Sequence, residues 1–213
     1  MLLTTIFFDL DDTLYPASSG LWPAIKQRIN LYMHERLGVS WEEIPILRQS
    51  LFETYGTTLR GLEANFSLDR ADYLAYVHDL PLTDYIGPDA ELRAALETLP
   101  ERKFIFTNSD RAHAQRVLAV LQVESFFTGI VDTDALAPHC KPQPRAFETA
   151  LRLAGECEPR RCVLIDDLPH TTRAARDYGF LSILYGRDGP SPDADATLTR
   201  WRDLPALLDG RRP

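Results

Sequence analysis

The chain has 213 residues, 45% of them hydrophobic and 25% charged, with a formal net charge of −8 at pH 7. That length suffices for one sizeable core, or a core with a small accessory domain, and the acidity argues against a nucleic-acid polymer as partner. Cys140, Cys157 and Cys162 are odd in number and lack C-x-x-C spacing, which argues against both a disulfide framework and a zinc site.

Residues 3–8 are a short apolar run ending at Asp9, the pattern of a strand buried on both faces. No basic region precedes it, and Asp9 interrupts it too early for a signal peptide. No apolar run reaches the roughly 18 residues of a membrane span. The protein is therefore expected to be soluble and cytoplasmic, with no membrane partner, as a monomer or homodimer. Residues 17–87 follow with helical patterns at Leu21–Leu37, Trp41–Tyr55 and Arg70–His78 and no convincing strand. A second strand is predicted at 103–107, a helix at 111–121, a strand at Gly129–Val131 and a helix at 144–154. A strand at 162–165, a helix at 170–178 ending before Gly179, and a strand at Leu181–Tyr185 come next. The Gly-, Pro- and Asp-rich stretch 186–197 reads as a surface loop before a short terminal helix. The alternation of strand and helix predicts an α/β fold, a doubly wound parallel sheet. Its core is discontinuous, 1–16 and 88–213, with an all-helical domain inserted at 17–87.

Three predicted strand ends are polar: Asp9-Leu10-Asp11-Asp12-Thr13, Thr107-Asn108-Ser109 and Asp166-Asp167. Ligands of open parallel sheets bind beyond the carboxyl ends of the strands, where the strand order reverses. Carboxylates meeting there repel one another unless a hard divalent cation joins them, and oxygen-only ligands suit Mg²⁺. Taken alone, the first segment also reads as an acidic turn with a helix N-cap, and the Asp-Asp pair as an ordinary strand end. Lys141 alone reads as a solvated loop residue. Only three of the 23 basic residues are lysines (Lys26, Lys103, Lys141), so a lysine here is mildly informative.

Together and in order, these segments resemble the haloacid dehalogenase superfamily of phosphatases. Its four motifs look like Asp9-Leu-Asp11-Asp12-Thr13, Thr107, Lys141-Pro142 and Asp166-Asp167. The resemblance implies that Asp9 is the nucleophile, forming an aspartyl-phosphate, and that Asp11 is the general acid and base. It implies that Thr107, Asn108 and Lys141 hold the phosphoryl oxygens. Mg²⁺ would be held by Asp9, the Asp11 backbone carbonyl and Asp166, with Asp167 in close support. Family members with the Asp-Asp form often continue with Ser and, three residues later, Asn; this chain has Leu168 and Thr171.

The insert occupies the position of the family's helical cap, which contacts the leaving part of the substrate. Within it, Tyr55–Leu62 and Tyr76–Leu82 are similar to segments of the pyrimidine 5′-nucleotidase branch, as are Tyr15-Pro16 and Thr107-Asn108 followed by His113-Ala114. The implied substrate is a small phosphorylated molecule of the UMP or CMP kind. Arg60, read as lying on a loop, offers a hydrogen-bond fork or is a surface residue; Tyr55 or Tyr15 offers an aromatic face to a base, or Tyr55 belongs to the cap core. His78 and His113 are substrate contacts or make capping and core hydrogen bonds; His34, His139 and His170 are read as solvent-facing. A phosphosugar or phosphoglycolate phosphatase carries the same four motifs. A 2-haloacid dehalogenase needs neither Asp11 nor Mg²⁺, and a non-catalytic binding module is expected to have lost one of Asp9, Asp11, Lys141 or Asp166.

Overall fold

The first strand, β1 (Thr5–Phe8), has all four residues buried, and the chain builds its sheet outward from it. The computed structural model describes residues 2–209. The chain divides into two compact units, one formed by Met1–Ala17 with Ile86–Pro213 and the other by Ser18–Tyr85.

In the first unit, β2 (Arg102–Phe106), β3 (Gly129–Val131), β4 (Cys162–Asp166), β5 (Leu181–Tyr185) and β6 (Ala196–Leu198) join β1. All pairings are parallel, in the order β3-β2-β1-β4-β5-β6. The order reverses between β1 and β4, the switch point at which doubly wound sheets open a crevice. Phe8 pairs with Ile105 on one side and Ile165 on the other, so Asp9 emerges level with Asp166, one residue short of the level of Thr107.

Alternation along β1 sends Phe7 and Phe8 to opposite faces. Phe7 meets Phe104, Phe106 and Phe180 at ring-centroid distances of 5.8, 6.0 and 5.9 Å, in a cluster completed by Phe147. Phe8 packs edge-on against Phe127 and, tilted, against Trp201. Burying each such ring contributes about 1.5–3 kcal/mol, which anchors the central strand from both sides. The flanking helices α5 (Ala90–Thr98), α6 (Arg111–Leu121), α7 (Thr133–Leu136), α8 (Pro144–Ala154), α9 (Pro169–Tyr178) and α10 (Leu204–Asp209) supply the covering layers. Strand β6 begins inside the stretch read as a surface loop and ends one residue beyond it. Its Gly-, Pro- and Asp-rich approach hides it; Gly186 N–H donates to Leu198 O at 2.8 Å, and the Asp195 carboxylate accepts from the Ser182 backbone at 2.9 Å.

The second unit holds α1 (Leu21–Glu35), α2 (Ile44–Tyr55), α3 (Thr58–Asn65) and α4 (Arg70–Val77). The first helix stops ahead of Gly38, which has φ +70°, and α2 starts three residues later than expected, with Pro45 in its first turn. Arg60 lies on α3 and not on a loop. Thr57 caps that helix by accepting the Arg60 N–H at 3.1 Å. Gly61, which obscures the helix in the sequence, is there for packing: a Cβ on it would sit 2.5 Å from Leu51 Cβ of α2. Among the described residues, no helix is long and apolar enough to cross a membrane.

Candidate active site

Beyond β1 the chain turns tightly over Asp9–Thr13. Asp12 takes a left-handed conformation at φ +59°, which aspartate tolerates better than most residues. The turn returns Thr13 to the strand end, where its hydroxyl donates to Asp9 Oδ2 at 3.1 Å. Lys141 lies in the segment between α7 and α8 and is 4% exposed. Its Nζ donates to Asp9 Oδ1 at 2.7 Å and to Asp166 Oδ2 at 2.6 Å, bridging the two strands of the switch point.

Asp9, Asp166 and Asp167 each offer a carboxylate oxygen, and these oxygens all lie within 4.8 Å of one another. Burial, despite the opposing charge of Lys141, drives the Asp9 carboxyl well above the ordinary carboxylate range, and Asp166 and Asp167 add to the rise. Burial and the neighbouring Asp166 push Asp167 up to about 7. For Lys141 burial alone would lower the pKa, but Asp166 and Asp9 outweigh it and hold the ammonium above its usual value. Three hard oxygen donors in this state of mutual repulsion fit a divalent cation such as Mg²⁺. The leucine at 168 leaves part of this support intact, because its backbone N–H, at 2.9 Å, is what Asp166 Oδ1 accepts.

Thr107 is buried at the end of β2, its backbone N–H bound to Val131 O and its hydroxyl oxygen accepting from Ser109 N–H at 3.0 Å. Asn108 pairs with Lys141 as if it were backbone. Its Nδ2 donates to Lys141 O at 3.1 Å and its Oδ1 accepts the Lys141 N–H at 2.9 Å. The side chain thus ties the second strand end to the lysine segment, a role its position in the sequence did not signal.

Asp11 stands apart from the carboxylate group. Its Oδ1 accepts from the Tyr15 hydroxyl at 2.6 Å and meets His113 Nε2 at 2.8 Å, while Oδ2 accepts from the Ser109 hydroxyl at 2.5 Å. Burial would raise its pKa, but the His113 charge and hydrogen bonds from His113, Ser109 and Tyr15 bring it below the usual carboxylate range. Asp110 caps α6 by accepting the His113 N–H at 3.0 Å, which fixes the turn that carries the imidazole.

Tyr15 and His113, read as candidate substrate contacts, are both buried, and for His113 this is the core hydrogen bond that the sequence also allowed. Tyr15 is 2% exposed, so its ring offers no face to a base. The His113 side chain is fully buried against Asp11. In the helical unit, Arg60 is ion-paired with Glu63 at 3.3 Å, His78 is buried at the C-cap of α4, and Tyr55 is half-buried at the end of α2.

A sequence profile of the haloacid dehalogenase-like hydrolases matches residues 3–179. Phosphate metabolism protein 8 of Saccharomyces cerevisiae is 32% identical over 193 residues, which is 84% of this chain and 60% of the yeast protein. Pyrophosphatase PpaX of Listeria innocua is 23% identical over 212 residues, 97% of this chain and 96% of that one. Among solved structures, a haloacid dehalogenase-like protein of Agrobacterium tumefaciens shares the fold with a TM-score of 0.64 at 22% identity, over 98% of this chain and 99% of that one. With its all-parallel sheet and its aspartates at the switch point, this chain belongs to the haloacid dehalogenase-like hydrolase family.

Proposed function

We propose that the protein is a Mg²⁺-dependent phosphomonoesterase that works through an aspartyl-phosphate on Asp9, with pyrimidine nucleoside monophosphates as its substrates. The observation that carries this reading is Lys141 bridging Asp9 and Asp166 at the reversal of strand order. An Asp9 oxygen attacks phosphorus as the bond to the leaving oxygen breaks, and Asp11 supplies that oxygen with a proton. Asp11 then takes a proton from water, which attacks the aspartyl-phosphate and releases inorganic phosphate and free Asp9. Lys141 and Thr107 donate to the phosphoryl oxygens as charge moves onto them. Asp9, Asp166, Asp167 and the Asp11 carbonyl would hold Mg²⁺, which neutralises phosphoryl charge when bound.

The names of the yeast and Listeria relatives point to phosphate chemistry and not to carbon–halogen cleavage. The nucleotide part rests on the similarity of Tyr55–Leu62 and Tyr76–Leu82 to the pyrimidine 5′-nucleotidase branch. Leaving-group recognition is assigned to the Ser18–Tyr85 unit, with Tyr55 as its aromatic contact. Phosphate release from UMP, CMP and a set of phosphosugars, with and without Mg²⁺, tests both levels. Metal-dependent release from UMP and CMP is expected. Turnover of sugar phosphates alone would remove the nucleotide assignment, and no metal-dependent hydrolysis of any monoester would sink the whole reading.

Asn108 enters this mechanism by holding Lys141. A hydrogen bond of this kind contributes about 1 kcal/mol, so Asn108→Ala is expected to slow turnover about fivefold. In a Lys141→Met background the same change should do nothing further. Kinetics of the two single variants and the double variant decide the point; additive losses would mean that Asn108 acts on the phosphate directly.

A further inference from the structure

Asp11 follows Asp9 by two residues, yet among the described residues the carboxylates that converge are those of Asp9, Asp166 and Asp167. A flexible carboxylate so close to a divalent cation would be drawn to it as a further ligand. Here both Asp11 oxygens are instead held by three side chains from separate segments. Tyr15 comes from the chain leaving β1, Ser109 from the loop after β2, and His113 from the first turn of α6. The Asp11 side chain is 12% exposed and that of His113 is fully buried, so the arrangement is part of the interior. A phenylalanine would fill the space of the Tyr15 ring equally well; the hydroxyl has Asp11 as its hydrogen-bond acceptor.

We propose that Tyr15, Ser109 and His113 are positioning residues for proton transfer: they dock the Asp11 carboxylate by both oxygens, away from the cation-binding aspartates, and so keep it for the leaving group and the attacking water. This rests on the reading of Asp9 as nucleophile and Asp11 as acid and base. It reassigns Tyr15 and His113, whose burial removes them from contact with a nucleobase. The imidazole Nε2 bonds Asp11 whichever of the two carries the proton.

The dock predicts a dependence on the leaving group. Tyr15→Phe, Ser109→Ala and His113→Leu are compared with wild type in kcat/KM for 2,4-dinitrophenyl phosphate, whose leaving group needs no proton, and for phenyl phosphate, whose leaving group does. Expected losses are roughly threefold or less on the first and on the order of 10²-fold on the second, a typical general-acid contribution. His113→Gln, which keeps a donor near the Nε2 position, should recover part of the loss. None of the changes should add to Asp11→Asn on phenyl phosphate. Equal losses on both esters, or further loss in the Asp11→Asn background, would overturn the dock and indicate a structural role. Tyr15→Phe removes a single hydroxyl, so it keeps the test open if a bulkier change fails to fold. A wild-type enzyme without Mg²⁺-dependent activity on either ester would sink the underlying reading instead, and the dock with it.

Discussion

Asparagine in place of Asp9 is expected to lower turnover by about 10⁴-fold or more, the scale of losing a nucleophile, while the fold survives. An amide carbonyl still accepts from Lys141 Nζ, which lies 2.7 Å from Asp9 Oδ1, and the amide nitrogen can donate to the Thr13 hydroxyl where Oδ2 now accepts from it at 3.1 Å. The substitution also removes a carboxylate whose charge is opposed by burial and by two neighbouring aspartates, so thermal stability without metal should hold or rise. Asp11→Asn should lose less, on the order of 10²–10⁴-fold, because it removes proton transfer and leaves the displacement. Phosphate release, a melting curve and the mass of the acid-quenched protein report on rate, fold and phosphoenzyme. Turnover retained by Asp9→Asn would show that the nucleophile lies elsewhere. A dehalogenase would behave differently, since it loses its activity with Asp9 but keeps it with Asp11→Asn and in EDTA.

The sheet was legible because strands buried on both faces read as continuous apolar runs that stop at the first polar residue. The runs at 3–8, 103–107 and 162–165 contain β1 and most of β2 and β4 for that reason. Parallel pairing of Phe8 with Ile105 and Ile165 then lines up the stops, and Asp9 reaches Asp166 through Lys141. Other elements escaped: β6 begins within a Gly-, Pro- and Asp-rich stretch, and α3 is masked by a glycine that the sequence alone cannot assign to packing. What else was missed is tertiary. The bond from Asn108 to Lys141 spans 33 positions, and those from Ser109 and His113 to Asp11 span 98 and 102. No local pattern encodes such partners. An aromatic residue four positions after Asp11 reads as a binding face until its burial is known. Arg60 is a similar case, because its pairing with Glu63 becomes expected only once both are placed on one helix.

Methionine in place of Lys141 is expected to destabilise the metal-free protein by about 3–5 kcal/mol near pH 8, the range for removing one partner of a buried ion pair. Asp166 is fully buried, and without the ammonium that bridges it to Asp9 it is left facing the carboxylates of Asp9 and Asp167. The pH dependence follows from the direction of the shifts. Asp9 lies well above its ordinary value and Asp167 is raised to about 7, while an unfolded aspartate titrates near about 3.9. Between those values the folded state binds more protons than the unfolded one, so stability falls as pH rises through the window. Wild type in EDTA should therefore melt higher at pH 5.5 than at pH 8, and Lys141→Met, which removes the charge that opposes the rise, should show the steeper fall. Added Mg²⁺ should raise the melting temperature of both by mass action, and more in the variant, where a second cation replaces the missing one. Turnover should nevertheless stay on the order of 10²–10³-fold below wild type, because the cation restores charge balance among the aspartates but not the donor to the phosphoryl oxygens. Differential scanning at the two pH values, with EDTA or Mg²⁺, separates these effects. Equal melting of variant and wild type in EDTA at pH 8 would mean that the carboxylates are balanced without Lys141.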